Sequence, residues 1–212
     1  HLPNAGYMRK LFLQPTIGSE IDLSRTGHHL ASVGYESVDV VRVRGQFSRR
    51  GDILDIYPIN APAAVRMQVD FDILASIRQL DTTSQRSGIS LDQLWIPPVN
   101  LYLDSTENRT QFTRALAERF DDPGLELSLK EKLALLETGN LEGFDHYFHL
   151  SWDDHAGPEM FAEHLVLVDE PATVRRAWDV YLKQLAADHA DAFPRGYLSL
   201  DPDRKDRILT EI

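Results

Sequence analysis

The sequence predicts an α+β protein: a small unit with one antiparallel sheet and a short helix, then a mostly helical segment with one or two strands. Three observations carry this. From Gly34 to Pro58, GYESVDVVRVRGQFSRRGDILDIYP, β-branched runs alternate with glycine breaks. Beyond Ser105 the apolar residues recur at helical spacing. Between the two, Pro97-Pro98 coincides with a step in charge, which places a boundary near Asn100 and separates residues 1–100 from residues 101–212.

The elements follow in order. Asp22 or Ser24 caps a short helix within Glu20 to Val33, with Ile21, Leu30 and Val33 as its buried positions and Gly27 weakening it. The meander follows as strand, turn, strand, turn, strand: Val38 to Val43, a break at Gly45, Phe47 to Arg50, a break at Gly51-Asp52, and Ile53 to Tyr57. Val65 to Val69 and Ile73 to Leu80 read as two further strands. In the second half Asp104 or Ser105 caps a helix carrying Phe112, Leu116 and Phe120 at four-residue spacing. Leu127 to Thr138 is a second helical run. The stretch HYFHL reads as a half-buried strand, and Leu165 to Val168, apolar without alternation, as a strand covered on both faces. Pro171 then opens a helix with Val174, Trp178, Tyr181, Leu182 and Leu185 on one stripe. Trp95, Trp152 and Trp178 are expected in the core.

Composition narrows the function. The chain has 212 residues, 42% of them hydrophobic, which suffices for a real core. No cysteine is present, so disulfides, thiolate metal sites and a cysteine nucleophile are excluded; a reducing cytoplasm is the compartment this fits. No run reaches the roughly 18 apolar residues of a membrane helix. The start at His1, with the first methionine at Met8, is that expected of an excised segment. Up to Asn100 basic and acidic residues cancel, so the whole net charge of −11 falls on the second half. Such a surface repels phosphate backbones, and weak binding to duplex DNA follows.

Four arginines, Arg42, Arg44, Arg49 and Arg50, crowd the first turn of the meander. On paired strands Arg42 and Arg44 would share a face, as would Ser48 and Arg50, concentrating guanidinium groups suited to carboxylate or phosphate. Asp169-Glu170 after an apolar run has the form of a Mg²⁺-binding acidic pair. No G-x4-GK[ST] accompanies it, so no phosphate loop is available and neither ATP binding nor hydrolysis is expected. His146, His149 and His155, with Asp145, Asp153 and Asp154, match no metal-ligand spacing, and no metal or other cofactor is expected.

The meander, continued by RMQVDFDILASIRQLD at Arg66 to Asp81 and by TTSQRS to Ser87, resembles the second domain of the transcription-repair coupling factors (Mfd) and of the excision-repair protein UvrB. The shared features are a GY-x2-VD-V opening, an RG-x-(I/L)LD(I/L)(F/Y)P strand, a later strand opening with Arg, and an (I/L)R-x-(F/L)D-x3-QR ending. LEGFDHYFHL at Leu141 to Leu150 and HLVLVDEP at His164 to Pro171 resemble the segment that follows in the coupling factors. The resemblance implies a UvrA-interaction domain over residues 1–100. Over residues 101–212 it implies part of a degenerate RecA-like, UvrB-like lobe without ATPase activity.

It also implies a site. In the family this sheet recruits UvrA through an arginine before the glycine of the meander, an arginine opening the later strand, and an aromatic four residues beyond it. Those positions hold Arg50, Arg66 and Asp70 here, with Phe71 next to the substituted aromatic and Arg49 and Gln68 beside the arginines. Arg50 and Arg66 are expected side by side on the exposed face, with little consequence for stability when truncated. The implied function is a non-catalytic segment that recruits UvrA to stalled RNA polymerase, itself monomeric, with polymerase and DNA bound only by other domains. Two alternatives stand beside it. One is a UvrB segment contributing part of an ATP site, against which Pro171-Ala172 after Asp-Glu argues. The other is an acidic adaptor that has lost UvrA, which Asp70 favours.

Overall fold

The computed structural model describes residues 3–119, 126–141, 144–152, 165, 167 and 169–192. The chain divides into two compact units: Gly6–Ser105, and His1–Ala5 with Thr106–Ile212.

The Gly6–Ser105 unit begins with helix α1 (Ala5–Leu11) and helix α2 (Leu23–Ser32). The Asp22 carboxylate caps α2, accepting the Ser24 N–H at 2.7 Å and the Arg25 N–H at 3.1 Å, which satisfies donors the first turn leaves orphaned. At its other end Gly34 sits at φ +96°, donates to the Ala31 carbonyl, and lets Tyr35 donate back to Leu30 at 2.9 Å. That is a Schellman ending, and buried Leu30 and Tyr35 supply its apolar contact. A Cβ on Gly34 would lie 2.7 Å from Asn100 Nδ2, so glycine is required twice over.

Six strands follow in the order of the chain: β1 (Glu36–Ser37), β2 (Gln46–Arg50), β3 (Ile53–Ile56), β4 (Ala64–Asp70), β5 (Ile73–Leu80) and β6 (Ser87–Leu91). The pairs from β2 to β6 are antiparallel, while β1 pairs with β2 in parallel. The α+β expectation holds. One meander strand does not: residues 38–45 form a loop, not a strand carrying Arg42 and Arg44. The Gln46 side-chain oxygen accepts the Arg42 and Val43 N–H groups at 3.1 and 3.2 Å, Gly45 turns the chain at φ +85°, and Val41 is buried against Ala64 and Leu80. The valines signalled burial, which a loop over a core satisfies as well as a strand does.

One face of the sheet carries Phe47, Leu54, Ile56, Val65, Met67, Leu74 and Ile77, all buried. A Cβ built on Gly27 of α2 would lie 3.5 Å from the Phe47 ring, so the helix packs on this face with room for a methyl. Leu23 is buried there in place of the expected Ile21, which is half-buried. Trp95 is 52% exposed, contrary to the core position expected of it.

In the other unit, helices α3 (Thr106–Arg119) and α4 (Glu126–Glu137) form as expected, and Phe112 and Leu116 are fully buried. Phe120 lies outside the described residues. HYFHL is not a strand: Asp145–Ser151 is a 3₁₀ turn. It buries Tyr147 and Phe148 side by side and sets Phe144 edge-on to Phe112 at 5.7 Å, an arrangement that alternating strand geometry would break. Of the expected strand Leu165 to Val168, the two described residues Leu165 and Leu167 are 86% and 83% exposed and outside any strand. A strand of that kind needs sheet neighbours, and none occurs among the described residues of this unit. Helix α5 (Pro171–Ala192) follows. Its stripe is exposed, Trp178 at 39% and Tyr181 at 49%, with the two rings stacked at 5.4 Å. Trp152 is buried as expected. Among the described residues, no helix is long and apolar enough to cross a membrane.

Candidate functional site

Opposite the helix-covered face the sheet has a second face, covered at one end where Val41 packs on Ala64 and Leu80 and exposed at the other, and its residues follow from register. Antiparallel partners share a face, so one row runs Ser48, Asp55, Arg66, Arg78, Ser90 across β2 to β6. The next row runs Arg50, Ile53, Gln68, Ser76. Arg50, Gln68 and Arg78 are exposed. Arg50 and Arg66 therefore share the face but are not side by side: β3 lies between them and they sit one row apart.

Arg66 is not a free cation. Its Nε and Nη2 donate to the two Asp55 carboxylate oxygens at 2.7 Å each, and Nη1 donates to the Gln85 carbonyl at 3.4 Å. The hydrogen bonds to Asp55 push the guanidinium pKa further above its ordinary value. Asp55 is only 7% exposed, and its acidity inside the ILDI strand is tolerated because this fork meets it. The Asp55 partnership was missed in the sequence. A single acid flanked on both sides by buried apolar residues was the available signal, since a strand acid of that kind requires a partner.

Arg50 donates from Nη2 to the Asp39 carbonyl, and Ser48 Oγ donates to the same carbonyl at 3.0 Å. An open depression lined by Ser37, Val38, Asp39, Ser48, Arg49 and Arg50 lies there. The remaining arginines disperse. Arg49 follows Ser48 by one residue and so faces the α2 side, where its charge helps hold Asp22 below the ordinary carboxylate value after the larger contributions of the Arg25 and Ser24 N–H groups. Arg44 donates to the Ala61 carbonyl at 3.1 Å and lies 5.7 Å over the Tyr57 ring, clamping the β3–β4 loop.

The β4–β5 hairpin closes on Asp70 and Ile73, with Phe71 at φ +46° and Asp72 at φ +65°. Two left-handed residues make a type I′ turn, a place that favours Asn-Gly and disfavours a bulky side chain. Phe71 is nonetheless there and 95% exposed, with Ile73 at 43% beside it. Phe71 thus combines a left-handed backbone, unusual for a bulky side chain, with a fully solvated ring. Asp70 is exposed next to it, so the register leaves the aromatic on the turn and the acid on the strand.

Asp169 and Glu170 are exposed, and the Glu170 carbonyl accepts the Thr173 and Val174 N–H groups at 2.8 and 3.1 Å to open α5. Asp153, Asp154 and His155 lie outside the described residues.

The Gly6–Ser105 unit is thus a six-stranded, largely antiparallel sheet with a short helix on one face and arginines on the other. Residues 13–102 match the UvrB interaction domain. Across 92% of its length the chain is 29% identical to a transcription-repair-coupling factor of Myxococcus xanthus, of which it covers 17%. It is 32% identical over 115 residues to a transcription-repair-coupling factor of Bacillus subtilis, covering 54% of this chain and 9% of that one. It is 27% identical over 107 residues to UvrABC system protein B of Thermosipho africanus, 50% of this chain and 16% of that one. The chain thus spans less than a fifth of the length of these relatives.

Proposed function

We propose that the solvent face of the sheet binds UvrA, and that the chain is the non-catalytic, UvrA-recruiting part of a transcription-repair coupling factor acting at stalled RNA polymerase in the cytoplasm. Residues 1–100 act as the interaction domain and residues 101–212 as a UvrB-like segment. Contacts with polymerase and DNA belong to other parts of such a protein, and this segment acts as a monomer. The observation that carries the reading is the exposed row of Arg50 and Gln68, with the exposed Phe71 turn at the end of β4, in a domain matching the UvrB interaction domain. Arg66 contributes from the same face while tied to Asp55, and Asp70 borders the turn. Arg49, on the helix side, lies at the margin.

The coupling-factor reading is preferred to a UvrB segment because the match to the Myxococcus coupling factor runs over 92% of the chain, against 65% for the UvrABC system protein B of Microcystis aeruginosa. Calorimetric titration with cognate UvrA tests the reading: saturable binding weakened at least tenfold by Arg50→Ala is the expected result. No heat of binding to the parent chain would favour the adaptor that has lost UvrA.

A further inference from the structure

We infer that Arg78 is the guanidinium that meets a carboxylate of UvrA on this face, beside the internally paired Arg66; this rests on the UvrA reading above. Arg66 and Arg78 are direct cross-strand partners on β4 and β5. Side chains so placed have Cβ atoms about 5 Å apart, and like charges there repel. Each of two arginines in that position is favoured by a negative charge alongside it.

Only one is supplied from within. Both oxygens of Asp55 are taken by Arg66, in a fork whose geometry leaves no second bidentate site. Arg78 is exposed, flanked across the strands by Arg66 and Ser90, and makes no hydrogen bond or ion pair among the described residues. Its donors are therefore available to an acid. Arg50 has spare donors at the opposite corner, since only one of its nitrogens is engaged, with the Asp39 carbonyl. From strand spacing and residue rise, the backbone positions of Arg50 and Arg78 stand roughly 16 Å apart. The partner surface these two arginines fit carries two separate carboxylates, on either side of the neutralised Arg66–Asp55 centre.

Titration of UvrA with the parent chain, Arg78→Ala, Arg78→Lys and Arg78→Glu, alongside thermal melts of each, tests this. Arg78→Ala should weaken binding at least tenfold with an unchanged melting temperature, Arg78→Lys should recover part of the loss, and Arg78→Glu should bind more weakly than Arg78→Ala. A parent that binds and an alanine variant that binds equally would overturn the role of Arg78 and leave the UvrA reading intact. A melt lowered as far as that of Arg66→Ala would also overturn it, by making Arg78 structural. A parent that does not bind UvrA would overturn both.

Discussion

Truncating Arg66 to alanine is the perturbation on which the structure and the bare sequence differ most. From the sequence, an arginine opening an exposed strand is a surface residue whose loss shifts stability by no more than about 0.5 kcal/mol. In the structure its guanidinium forks onto Asp55 with two 2.7 Å bonds, and the side chains are 26% and 10% exposed. Removing one partner of a fully buried pair costs about 3–5 kcal/mol, mostly because a desolvated charge is left behind. Arg66 is a quarter exposed and water can reach part of the vacated space, which brings the expected cost to about 2 kcal/mol. For a chain of this size that corresponds to a melting point lower by roughly 4–8 °C. Urea and thermal unfolding of the parent, Arg66→Ala, Asp55→Ala and the double variant complete a cycle. The double variant should be destabilised by less than the sum of the singles, because the second deletion removes the orphaned charge. An Arg66→Ala melt within about 1 °C of the parent would refute the buried-pair account and restore Arg66 as a freely available contact. Weakened UvrA binding by this variant must accordingly be compared with its own folded fraction.

Three further outcomes are expected. Phe71→Gly should raise stability by roughly 1 kcal/mol, since glycine adopts the left-handed turn without strain, and should weaken UvrA binding by at least tenfold if the exposed ring is an anchor; unfolding and titration read the two effects separately. Gly27→Ala should stabilise by about 0.5–1 kcal/mol because the methyl meets only ordinary contact in a helix interior, whereas Gly34→Ala should destabilise by at least about 1 kcal/mol because its Cβ would meet Asn100 at 2.7 Å from a left-handed backbone; chemical denaturation distinguishes them. Burial pushes the Tyr35 phenol up to about 12 while its hydroxyl donates to the Pro97 carbonyl at 2.8 Å. A raised pKa means the unfolded chain ionises first, so stability present below about pH 10 should fall between about pH 10 and 12. Tyr35→Phe should flatten that loss in a pH series of melts.

The sequence by itself determined the local events. Asp22 opens α2 and Gly34 ends it because a carboxylate and a missing Cβ act within a few residues of where they stand. Gly51-Asp52 turns the β2–β3 hairpin, and the alternation in Val65 to Val69 faces Val65, Met67 and Val69 inward, for the same reason. The resemblance at Arg50 and Arg66 was legible because those motifs are contiguous. What only the tertiary structure decided is pairing at a distance. Register alone sets Asp55 under Arg66 and Arg78 beside it, separates Arg50 from Arg66 by a strand, and sends Arg49 to the other face. Residues 38–45 carry the same β-branched signal as a strand, yet a glutamine eight residues beyond Val38 holds them as a loop. Likewise HYFHL gains a 3₁₀ turn from the aromatic cluster around Phe112. Burial of a valine or an aromatic is a demand that several backbones satisfy, and only the partners brought by the rest of the chain choose among them.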